Sequence, residues 1–143
     1  NIVKLYRANT THINNWDLVD VSAGKIIGAW CVENDWEILR QYAKSKNLWE
    51  RRIAMIATSA YFKTKNSAPT NAIALQLLHD NHDLIHKAVG WMLREMGKNV
   101  SQDELRAFLR VHAHEMPRTM LRYAIEKFST QERKKWLSTI FTG

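Results

Sequence analysis

Apolar positions recur every three to four residues along the whole chain, and no stretch shows the strict alternation of a strand. The pattern predicts an all-α protein. Residues 1–8 read as a helix end, with Asn9-Thr10-Thr11 as a connector. A long helix is expected from about Asn15 to Val32, with Asn15 as its N-cap; Gly24 and Gly28 suggest a kink or close packing. A short helix covers about Asp35–Lys44, and Asn47 caps the next, about Leu48–Lys63, whose stripe is Trp49, Ile53, Ile56, Ala57 and Ala60. Further helices are expected at about Pro69–His79, His82–Gly97, Ser101–His114, Met116–Phe128 and Thr130–Ile140. Ser101 with Glu104 has capping-box spacing, as has Asn81 with Leu84, and Pro117 forces a break.

The helices repeat. Arg52-Ile53-Ala54, Lys87-Ala88-Val89 and Arg118-Thr119-Met120 each place a base ahead of an apolar stripe, 35 and 31 residues apart, and Trp16 lies 36 residues before Arg52. Longer and shorter helices alternate between these marks. This is the signature of a helical-pair solenoid, in which each pair buries its apolar face only against its neighbours. Every second helix would then line one concave wall, and its polar residues would share a groove.

At 143 residues the chain reads as a single domain, and Asn1-Ile2-Val3-Lys4, already inside a helix, reads as a fragment lacking N-terminal repeats. Such a fragment would expose apolar surface near residues 1–35 and self-associate there. No apolar run is long enough to span a bilayer, and a lone Cys31, expected to be inert packing, fits a reducing cytoplasm. Charge sharpens the picture. Residues 1–50 balance six bases against six acids, whereas residues 51–143 hold fifteen bases and eight acids, the whole of the +7. Such a bias points to a polyanion such as nucleic acid.

Candidate chemistry gathers at Asn14-Asn15-Trp16-Asp17-Leu18-Val19-Asp20. Trp16 and Asp20 stand four residues apart on one helix face. Asp17, in the first turn, is explained by the helix dipole, and Asp20 is not. Lys87, Trp91, Arg94 and Lys98 recur at helical spacing away from the stripe of Leu84, Ile85, Ala88, Val89, Met92, Leu93 and Met96. A basic row with one aromatic suits a phosphate backbone, and Arg118 and Arg122 could continue it on the next inner helix. Arg52 has two readings, a phosphate contact or a tie between neighbouring helix pairs. His82 and His86, with His79 nearby, have ligand spacing, but no Glu or Asp completes a metal signature, so neither metal nor cofactor is expected.

Four blocks in order, Asn14–Asp20, Leu48-Trp49-Glu50-Arg51-Arg52, Lys87–Glu95 and Met116–Ala124, closely resemble the AlkD-type DNA alkylation repair family. The resemblance implies a HEAT-like α-α superhelix acting on double-stranded DNA with alkylated bases, located in the cytoplasm (on the nucleoid in a bacterium). It further implies a glycosylase that removes cationic N3- and N7-alkylated purines. The family's active-site aspartate falls on Asp20, its groove tryptophans on Trp16 and Trp91, and its phosphate-side arginine on Arg52 or Arg51. A noncatalytic helical-repeat scaffold binding DNA or protein is the alternative.

Overall fold

The computed structural model describes residues 26–139, all helices and their connections, with no strand among them. Trp16 and Asp20 lie outside the described residues. The first described element has π geometry at Ile26–Ile27 and continues as α1, Gly28–Glu33. The other helices are α2 (Glu37–Ala43), α3 (Leu48–Ala57), α4 (Ala68–Leu77), α5 (Asp83–Asn99), α6 (Gln102–His112), α7 (Arg118–Ala124) and α8 (Thr130–Thr139).

The ends follow local chemistry. Asn47 Oδ1 accepts from the amides of Trp49 and Glu50, at 2.8 and 3.2 Å, satisfying two of the free donors of α3. Ser101 Oγ accepts from Glu104 N at the start of α6, and Pro117 stands as the residue before α7. Two expectations are corrected. The helix starting at Leu48 does not remain α to Lys63: it tightens to a 3-10 segment over Thr58–Thr64, where the Thr58 hydroxyl donates to Met55 O at 2.7 Å, and ends on Lys65 in the left-handed region. The cap of α5 is His82, whose Nδ1 accepts from Leu84 N, in place of Asn81.

The helices form two layers. α3, α5 and α7 lie side by side, with α5 in extensive contact with α7 and also packed on α3. α2, α4 and α6 back them: α2 packs on α3, α4 on α3 and α5, and α6 on α5, while α2 and α4 touch each other. α8 closes the row against α7 and the Ala113–Glu115 turn. This alternation of an inner and an outer helix makes an α-α superhelix. Its core is one continuous layer from Ile27 to Phe128, including Leu39, Ile53, Ile73, Ile85, Leu93, Leu109 and Leu121.

Candidate nucleic-acid interface

The basic row is carried by α5, 17 residues long. Its predicted stripe is core: Ile85, Ala88, Val89, Met92, Leu93 and Met96 are all buried, and only Leu84 at the edge is half-exposed. Lys87, Trp91, Arg94 and Lys98 lie off that stripe, Trp91 packed by part of its surface against the core. Gly90 stands three residues after Lys87 and four before Arg94, on the edge that meets α7. A Cβ there would lie 2.5 Å from Met120 O and from Tyr123 Cβ. The missing side chain therefore lets the α7 backbone, through Met120 and Tyr123, close on α5; α7 also carries Arg118 and Arg122, both exposed.

The row is partly neutralised. Lys87 Nζ lies 3.2 Å from Asp83 one turn back. Arg94 lies 3.2 Å from Glu95 and bonds Glu126, just beyond α7, so its guanidinium bridges the two inner helices. Lys98 is exposed at the last turn. A polyanion laid along this edge meets one half-buried aromatic face and cations whose carboxylate partners sit at the solvent boundary.

The two arginines of the second block do something different. Arg51 Nε donates to Asp80 Oδ2 at 2.8 Å, and its Nη1 reaches the carbonyls of Ser45 and Lys46 at 3.1 Å. Arg52 is 1% exposed, and its Nη1 donates to Leu84 O at 2.7 Å. Of the two readings the sequence leaves open for Arg52, the tie between neighbouring pairs is the one seen. Together these arginines fasten α3 to the turn that starts α5, and so fix where the row begins. The Leu84 carbonyl it meets lies in the first turn of α5, so this bond ties that turn directly to α3.

The remaining candidates have structural roles. His82 caps α5, and His86 Nε2 donates to Asp80 O. No group of three His, Cys, Asp or Glu among the described residues is arranged to hold a metal. Cys31 is buried; that burial, with Asp35 nearby, pushes its thiol up to about 11, far from thiolate reactivity. Burial, with Cys31 and Asp35 adding to it, likewise pushes the Tyr61 hydroxyl up to about 12.

A family model described as DNA alkylation repair enzyme matches residues 1–128. The chain belongs to this family. No curated protein matches it significantly. Membership assigns the chain a role in DNA repair, with DNA as its substrate. No helix among the described residues is long and apolar enough to cross a membrane.

Two features of the repair fold escape sequence reasoning. One is Glu126, the counter-charge that fixes Arg94 from 32 residues away. The other closes the C-terminal end. Arg106 on α6 donates to both oxygens of Glu132 on α8, at 2.9 and 3.2 Å, and Trp136 Nε1 adds a third bond to the same carboxylate. The Arg106 guanidinium also lies 5.0 Å above the Phe128 ring. The hydrogen bonds from Arg106 hold the Glu132 carboxyl below the ordinary range, with Trp136 contributing. Neither partner lies within a helical turn of the other, so no local spacing announces the pair.

Proposed function

We propose that the protein is a DNA glycosylase that removes cationic N3- and N7-alkylated purines by hydrolysing the N-glycosidic bond. The observation that carries this reading is the family match over residues 1–128 on a chain whose net charge of +7 comes entirely from residues 51–143. An alkylated purine already bears a positive charge, so it leaves as a neutral base without a proton donor. As the C1′–N bond breaks, the sugar gains oxocarbenium character; water adds to C1′ and loses one proton. Asp20 supplies the fixed negative charge that stabilises the cationic sugar and orients the water. Trp16 and Trp91 pack on the deoxyribose, where their faces favour cationic character. Lys87, Arg94, Lys98, Arg118 and Arg122 track the phosphates, and Arg51 and Arg52 hold the helices that carry them.

Single-turnover release of 7-methylguanine from methylated duplex DNA, measured beside DNA binding, tests this. Asp20→Asn should bind DNA as the wild type does and lose roughly a hundredfold or more in excision, the usual cost of removing an electrostatic stabiliser. Asp17→Asn should lose only what a first-turn charge is worth, about 0.3–1 kcal/mol of helix stability. Excision by Asp20→Asn at the wild-type rate would refute the mechanism and leave a noncatalytic DNA-binding scaffold in its place.

A further inference from the structure

The outer helix α4 carries an anomaly that repair chemistry does not use. From Asn66 to Leu78 the chain holds no charged residue. One side of α4 is core, with Ile73, Ala74 and Leu77 buried. The opposite side, where an outer helix of a solenoid ordinarily carries charge, presents Ala68, Ala72, Leu75 and His79 one turn apart, with Leu75 45% exposed. The neighbouring α6 adds Ala107 and Val111, the latter 61% exposed. A helix apolar on both sides is expected to be covered on both.

The geometry around α4 is that of a receiving surface. Ser67 Oγ donates to Glu104 Oε1 at 2.7 Å at one end, and His79 lies 3.6 Å from Glu115 at the other. These contacts pin α4 to α6 at both ends and leave between them a groove of about 250 Å³, lined by Asn71, Ala107, Phe108 and Val111 among others. On the other flank a second groove of about 460 Å³ runs between α4 and α2, lined by Arg40, Lys44, Ala72, Leu75 and Gln76. Leu75 stands on the wall of this second groove. Two amide oxygens on the groove walls, Asn71 Oδ1 and Gln76 Oε1, are buried without a hydrogen-bond partner.

We infer that the outer face of α4, with its two flanking grooves, is a docking site for an acidic amphipathic helix of another protein. The aliphatic positions at Ala72, Leu75 and Val111 take the apolar stripe of that helix, as grooves take helices elsewhere. Lys44, with Arg40 held beside it over the Trp36 ring at 4.5 Å, and 3.7 Å from the exposed Glu37, selects carboxylates on its flank. A second copy of this chain is the poorer occupant, because two molecules of net charge +7 repel. The face lies on the outer layer, away from the α5 and α7 row, so a bound helix leaves the inner helices open to DNA.

The test uses the full-length protein and three synthetic helical peptides of about 18 residues, or five turns. One has a Leu/Ala stripe with a Glu edge, one the same stripe with a Lys edge, and one a Glu edge with the stripe scrambled. Fluorescence anisotropy should show saturable binding of the first peptide and at least about tenfold weaker binding of the other two. Leu75→Glu and Val111→Glu should each weaken it about tenfold or more. Leu75→Ser, with thermal unfolding unchanged, guards against a folding artefact and should also weaken it. Excess duplex DNA should not displace the peptide. Absence of saturable binding, equal binding of the Lys-edge peptide, or displacement by DNA would overturn the proposal. So would a dimer in sedimentation that Leu75→Glu dissociates, since the occupant would then be a second copy.

Discussion

α4 and α5 belong to the same helix pair and share one core, yet they treat solvent in opposite ways. α5 puts one face into the core and spends the rest of its length on Asp83, Lys87, Arg94, Glu95 and Lys98. α4 has no charge at all and leaves Leu75 in water. α6, next in the outer layer, shows that position alone is not the cause: Asp103, Glu104, Arg106 and Arg110 give it a charged outer face over a buried Leu105, Phe108 and Leu109. Packing dictates only the inward side of each helix. On the two proposals made above, what the outward side carries matches its partner, a polyanion for the inner row and an apolar surface for α4.

The comparison depends on α5 being held rigidly from both sides, and that can be broken most severely at Arg52. Arg52→Ala removes a fully buried side chain together with its bond to Leu84 O, so urea unfolding should show a loss of about 2–5 kcal/mol, the range for large-to-small core substitutions. A loss below 1 kcal/mol would mean that the start of α5 is fixed by something else. Next in size is Gly90→Ala. In an unhindered helix this change stabilises by up to about 1 kcal/mol. Here the new methyl meets Met120 O, a backbone atom that cannot rotate away, and overpacking of this kind costs about 1–3 kcal/mol. The melting temperature should fall, and DNA binding should weaken as α7 is pushed off α5. A rise in melting temperature would show that the inner helices do not approach closely.

The smallest effect sharpens the picture at the C-terminal end, where α8 is joined to the outer layer by charge. Glu132 has its carboxyl pKa held below the ordinary 4.5, chiefly by the hydrogen bonds from Arg106. A depressed carboxyl contributes stability above its unfolded pKa and loses it as pH falls through the folded value. Stability should therefore drop as the pH is taken below about 4.5, and Glu132→Gln should flatten that part of the profile while lowering stability modestly at neutral pH. Identical acid transitions in the two proteins would count against the pair.

Much of this architecture is legible along the chain because helix ends are local events. Asn47, Ser101 and Pro117 mark ends by chemistry within a turn, and the bases at 52, 87 and 118 mark alternate helices by simple spacing. The 3-10 segment was not legible, since Thr58 has to choose between its own carbonyl ladder and Met55 O. Nor were the long-range side-chain bonds that bind one repeat to the next. Arg52 to Leu84, Arg94 to Glu126 and Arg106 to Glu132 span 32, 32 and 26 residues, distances at which no periodicity carries information. The fate of Arg52 shows the consequence. Its residue type and block suit a phosphate, and only the approach of the α5 turn reveals the buried tie. Trp16 and Asp20, on which the chemistry rests, lie outside the described residues, and their roles rest on sequence.

The claim that the inner row faces DNA and the outer face does not is tested most directly by the salt dependence of duplex binding. Each phosphate contact removed should lower the slope of log affinity against log salt by about 0.9. Lys98→Gln combined with Arg122→Gln should thus flatten the slope by about 1.8 and weaken binding at low salt. Arg40→Gln combined with Lys44→Gln, an equal loss of charge on the outer edge, should leave the slope unchanged. Equal flattening by the two pairs, or none by the inner pair, would contradict the account.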